Sequence, residues 1–127
     1  MLEGGNKPEA LAAIVRGDAT FHSPVVHTPQ EGRAKVVGYL AAAGVVLNTD
    51  AFRYIRKFSE GDHALLEFVT EIDGISINGV DIITFDEDGM IKDFKVMIRP
   101  LKAINKVWEL MGAQLANMAA AGSVPTT

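Results

Sequence analysis

The chain has 127 residues, 48% of them hydrophobic, and a formal net charge of −4 with a sequence pI near 5.3. That is one domain, long enough to bury roughly two-thirds of its unfolded surface. The acidic balance and lack of a basic run argue against nucleic-acid or anionic-membrane binding. There is no cysteine, so disulfides, thiolate metal sites and cysteine nucleophiles are excluded.

The first ten residues, MLEGGNKPEA, carry no basic segment leading into an apolar run, so no signal peptide is expected there. The longest apolar stretch, YLAAAGVVLN, is about half of the ~20 residues a membrane span requires. A soluble, cytoplasmic protein is expected. Residues 8–15, PEALAAIV, form a short helix with proline in its first turn. A short strand in ATFHSPVVHTP then runs into a loop, because His-Ser-Pro disfavours continued regular structure.

A second helix begins between Pro29 and Arg33 and ends near Leu47, with Val36, Val37, Leu40, Ala43 and Leu47 on one stripe. Gly38 and Gly44 each weaken it by roughly 1 kcal/mol relative to alanine, so tertiary packing must hold it. Four strands follow, over residues 51–58, 63–72, 75–85 and 90–98. They are joined by the short polar turns EGD, DG and DEDG, which suit antiparallel hairpins. After Pro100 a longer helix runs to about Met118, with an apolar seam of Leu101, Ile104, Trp108, Met111, Leu115 and Met118. Residues 1–121 make one domain, and 122–127 read as a disordered tail. The order is that of an α+β fold, with helices on one face of a curved antiparallel sheet.

One residue breaks the pattern. In GVDIITFDEDGMI, Asp81 shares a strand face with Ile83 and Phe85, while Val80, Ile82 and Thr84 take the other face. Both faces are apolar. A carboxylic acid there lies inside the protein, and burial would raise its pKa. His22 could partner it. Leu66 and Phe68, and Phe94 and Val96, alternate inward on neighbouring strands, and Tyr54 could present a hydroxyl. No third group joins His22 and His27, so no metal site is expected. No glycine-rich phosphate loop is present, and no cofactor is expected.

The element order, with ATFHSP, EGR and GVDIITFDEDGMI, resembles the nuclear transport factor 2-like superfamily, in its SnoaL-like and ketosteroid-isomerase-like branch. The likeness covers residues 8–98. It implies a cone (the cystatin-like α+β roll), in which a bent sheet wraps a long helix around an apolar pocket. It also implies a homodimer through the outer sheet face. The resemblance places Asp81 at the position of the ketosteroid isomerase aspartic acid that stays protonated and donates a hydrogen bond to the substrate oxyanion.

Other positions depart from that enzyme. Ser23 stands where its general-base aspartate precedes the proline. Its catalytic tyrosine lies on a first helix with no counterpart expected before residue 8, and Leu40 takes the place of a supporting tyrosine, beside Tyr39. Steroid isomerisation is therefore not expected. Limonene-epoxide-hydrolase chemistry needs an Arg-x-Asp that LLEFVTE lacks.

The expectation is a SnoaL-like domain binding a small apolar or cyclic ligand. Asp81 and His22 are its polar centre, and Ser23, Tyr54, Leu66, Phe68, Ile83, Phe85, Phe94 and Val96 its walls. The alternatives are an isomerase, cyclase or lyase on a cyclic or polyketide-like carbonyl compound, or a dimerisation module without catalysis.

Overall fold

A computed structural model describes residues 7–120, so the tail expected at 122–127 lies outside the described residues. The elements are α1 (Pro8–Ala12), β1 (Val15–His22), β2 (Gln30–Glu31), α2 (Arg33–Leu47), β3 (Arg53–Glu60), β4 (His63–Ile72), β5 (Ile75–Phe85), β6 (Ile91–Arg99) and α3 (Leu101–Ala120). The strands form one six-stranded sheet in the order β2-β1-β6-β5-β4-β3. Neighbouring strands are antiparallel except β1 and β6, which run parallel.

The three hairpins follow from their turns. Gly61, Gly74 and Gly89 each adopt positive φ, which a residue without Cβ does at no steric cost. In the last turn Asp86 Oδ1 accepts from the backbone amides of Asp88 and Met90, each at 2.9 Å. That satisfies the turn's donors locally and starts β6 at Ile91.

The inner face of the sheet carries Phe68, Ile77, Asp81, Ile83, Phe94 and Val96, all buried. Helix α2 lies across it, burying Val36, Val37, Leu40, Ala41, Ala42, Ala43 and Leu47. Burial on so many sides answers the helix-weakening effect of Gly38 and Gly44. Its C-terminal end is tied to β4, where the buried Thr70 hydroxyl donates to the Leu47 carbonyl at 3.2 Å and lies 2.7 Å from Thr49 Oγ1.

Four features differ from the sequence reading. Helix α1 stops at Ala12 because Val15 already pairs with Ile91 at the start of β1. The two-residue β2 exists through its pairing with Thr20 and Phe21. The β3 strand is shifted two residues towards the turn at Gly61, with a bulge between Tyr54 and Arg56. Finally, α3 buries Ala103 and Val107 rather than its bulkiest stripe, leaving Leu101 71% and Trp108 53% exposed. Small and β-branched side chains let α3 approach α2, against which it packs together with β5 and β6 of its own chain.

Candidate functional site

Asp81 sits in the middle of β5, opposite Leu66 of β4 on one side and Val96 of β6 on the other. It is 0% exposed, and neither carboxyl oxygen has a hydrogen-bond partner among the described residues. Burial pushes its pKa up to about 7, because the charged form loses its hydration.

Tyr54 reaches the same interior from β3. Its hydroxyl is also buried without a hydrogen-bond partner among the described residues. Burial raises its pKa, and the nearby charge of Asp81 raises it further. The ring is held edge-on to Phe52 at 5.2 Å between centroids, and Phe52 stacks on Phe68 at 5.4 Å. Lys57 Nζ lies 5.2 Å from the Tyr54 ring centroid, within cation–π range.

Phe68 takes its place because its cross-strand partner is Gly79. A Cβ at residue 79 would overlap Phe68 Cζ, and would lie 2.8 Å from Phe68 Cε2 and 2.9 Å from the Met97 carbonyl oxygen. Glycine at this position is therefore part of how the aromatic cluster beside Asp81 is built.

A cavity of about 370 Å³ opens between α2, α3, β6 and the loop after β1, within the range of small-molecule pockets. Tyr39, Val96, Ile98, Trp108, Met111 and Leu115 are among its walls. Val96, directly across the ladder from Asp81, lines this space, and Asp81 is not among its lining residues. Tyr39 is fixed by stacking on Phe21 at 5.2 Å. Ser23 lines the cavity, and its Oγ accepts from the backbone amides of Val25 at 3.1 Å and Val26 at 3.3 Å.

Of the wall residues expected from sequence, Ser23 and Val96 line this cavity. Phe68, Ile83 and Phe94 are packed in the core, and Leu66 and Phe85 lie half-buried against it. His22 does not meet Asp81. Phe21 takes the inner face of β1, so His22 points to the outer face, where Nε2 lies 2.8 Å from Asp93 Oδ1. The α3 side chains in the cavity wall carried only an amphipathic signal in the sequence, indistinguishable from ordinary core packing. Among the described residues, no group of three or more histidine, aspartate or glutamate side chains is placed to hold a metal ion. None of the described helices is long and apolar enough to cross a membrane.

Comparison with known proteins matches residues 2–94 to the SnoaL-like domain. The chain belongs to the SnoaL-like domain family. A steroid Δ-isomerase from Nocardioides simplex is 31% identical over 101 residues, covering 76% of this chain and 80% of that protein. The crystal structure of a steroid Δ-isomerase from Pseudomonas aeruginosa is 34% identical with a TM-score of 0.84, covering 91% of this chain and 84% of that one. An uncharacterised bacterial protein with a cystatin-like fold from Silicibacter pomeroyi is 30% identical with a TM-score of 0.84, covering 94% and 83% of the two chains. The SnoaL-like chain thus has the nuclear transport factor 2-like α+β fold, with helices lining a curved sheet.

Within that frame, the SnoaL-like chain holds two buried polar side chains, Asp81 and Tyr54, without a partner among the described residues, and neither is among the residues lining the apolar cavity. When protonated, the Asp81 carboxyl is a donor, and the Tyr54 hydroxyl is a second. A carboxyl that titrates near neutrality is also suited to moving a proton at physiological pH.

Proposed function

We propose that this protein binds a flat, apolar cyclic compound through an oxygen that accepts hydrogen bonds from protonated Asp81 and the Tyr54 hydroxyl. The ligand's ring body occupies the cavity between Tyr39 and Trp108. The observation that carries this reading is the pair of buried polar groups without a partner among the described residues, with Asp81 across the ladder from Val96 of the cavity wall. A ligand oxygen would satisfy donors that otherwise stay desolvated and unused.

Binding without turnover is favoured by Ser23. Its oxygen already accepts two backbone amides, and a hydroxyl with no adjacent base does not abstract a carbon-bound proton effectively. A second reading rests on the relatives called steroid Δ-isomerases. In it, ionised Asp81, with its pKa near 7, takes a proton next to a carbonyl and returns it elsewhere. We also propose a homodimer through the outer face of the sheet, where Phe58 is 62% and Met97 49% exposed.

The test uses Trp108, the chain's single tryptophan and a cavity wall. Its fluorescence should change on titration with an enone steroid, and Asp81→Leu and Tyr54→Phe, which remove the donors, should each weaken binding by about tenfold, the scale of one lost hydrogen bond. An unconjugated ketosteroid should not be isomerised by the native protein, and Ser23→Asp should introduce measurable turnover. Isomerisation by the native protein, abolished in Asp81→Asn, would establish the second reading instead.

A further inference from the structure

We infer that the ligand carries a neutral hydroxyl group, recognised at the β1–β2 end of the cavity by Ser23, Gln30 and Tyr39. This rests on the cavity being the binding site, and it adds a functional group that the ligand presents there.

The three side chains enter the cavity wall around Phe21, which is itself part of that wall. Gln30 of β2 is the cross-strand partner of Phe21, and directly opposed residues share a face of the sheet. Ser23 follows two residues after Phe21, the spacing that returns a side chain to the same face. Tyr39 comes from α2 and stacks on the Phe21 ring at 5.2 Å. Further along α2 the wall is Ala43 and then Leu47, packed in one apolar cluster with Val107. Among the described residues, no charged side chain and no histidine lines the cavity. Its polar side chains, apart from the Trp108 indole, are therefore the three around Phe21.

Their hydrogen bonds decide which oxygen fits. The Ser23 oxygen already accepts from the amides of Val25 at 3.1 Å and Val26 at 3.3 Å. A hydroxyl has two acceptor positions and one hydrogen, so Ser23 is left as a donor. Gln30 is fixed the other way. Its Nε2 donates to the Thr28 carbonyl at 3.0 Å, and a carbonyl only accepts, which sets the orientation of the amide. Gln30 Oε1 is then an acceptor with no partner among the described residues. The Tyr39 hydroxyl can act in either sense. A ligand hydroxyl completes this set, accepting from Ser23 or Tyr39 and donating to Gln30. A ketone brings no hydrogen for Gln30. A carboxylate would face that acceptor in a cavity without a cation, where an unpaired ion is costly.

This oxygen is distinct from the one proposed to meet Asp81. The sheet order places β1 and β2 on one side of β6 and β5 on the other. Gln30 and Asp81 thus stand three strand spacings apart, so the ligand has oxygens at two separate points of its ring system.

The experiment compares three enone steroids, identical except at the ring farthest from the enone, which carries a hydroxyl, a ketone or no oxygen. Each is titrated against Trp108 fluorescence. The oxygen-free compound is the most apolar, so hydrophobic partition alone would favour it. The alcohol is expected to bind about tenfold more tightly than either of the others. Gln30→Met should bring the alcohol down to the ketone's affinity and leave the ketone unchanged. Tyr39→Phe should weaken the alcohol and the ketone but not the oxygen-free compound. Gln30→Met keeps the backbone pairing with Phe21, and Tyr39→Phe keeps the ring stack, so the melting temperature should hold in both. Equal binding of the three compounds, or equal weakening of all three by Gln30→Met, overturns the hydroxyl inference and leaves the cavity reading in place. Failure of all three to bind removes the cavity reading, and the inference with it.

Discussion

Asp81 and Tyr54 reach the interior from strands separated by β4, and between them they hold three buried oxygens with no hydrogen-bond partner among the described residues, Asp81's charge raising the pKa of the Tyr54 hydroxyl. A fold does not leave both groups unsatisfied at no cost. An unmade buried hydrogen bond costs roughly 1–3 kcal/mol, so the arrangement is destabilising unless a ligand completes it.

That cost has a definite pH dependence. The Asp81 carboxyl titrates at about 7 when folded, against a model value of 3.8. Between those values the folded protein holds a proton that the unfolded chain has lost, so stability falls as pH rises towards 7 and then levels. Converted at 1.36 kcal/mol per pKa unit, the penalty above neutrality is about 4 kcal/mol. Replacing Asp81 with asparagine should flatten this profile, raising stability at pH 8 and by less at pH 5. Urea denaturation at the two pH values measures it. A loss of about 3–5 kcal/mol at both would instead indicate a structural anion whose partner had been broken.

The Gly79–Phe68 pair makes a separate prediction. Gly79→Ala must displace the Phe68 ring, and it also meets the Met97 carbonyl oxygen, which is backbone and yields less. The expected cost is about 1–3 kcal/mol, as for overpacking elsewhere in cores. Thermal denaturation checks it, and loss of near-ultraviolet circular dichroism would locate the change in the aromatic cluster. An unaltered melting temperature would mean that the ring has room to move.

The outer sheet face should be covered by a second copy. Phe58 and Met97 are exposed there, and half-buried Leu65, Val80 and Ile82 extend the apolar surface. A symmetric dimer would bury at least roughly 1,200 Å² in total. Light scattering at tens of micromolar should give twice the chain mass, and Met97→Glu should reduce it to one. A monomeric native protein would remove the dimer.

Much of this architecture was legible in the residues. The alternation in β4 and β5, and the glycine turns around them, set those strands at residues 63–72 and 75–85, where they are found. Strand β2 was not legible, because two residues pair only after β1 is in place. The face α3 buries was obscured for a related reason. Its apolar stripe is wider than the surface it covers, and small Ala103 packs where larger neighbours cannot. The inward parity of Phe68, Ile83 and Phe94 was readable, but parity separates inside from outside and does not separate core from cavity. The cavity walls come from α2, α3 and the Ser23–Val26 loop, whose meeting is a tertiary event. His22 was misplaced by one step of strand parity, since Phe21 has the stronger claim on the interior.

The central claim is that Asp81 is a buried acid that titrates near neutrality and, when protonated, is available as a donor. Carbon-13 NMR titration of its carboxyl tests this most directly. A midpoint near 7 in the free protein, moving upward when an enone steroid binds and fixes the proton, is the result expected. A midpoint at or below about 4, the ordinary aspartate range, unaffected by the steroid, would contradict it.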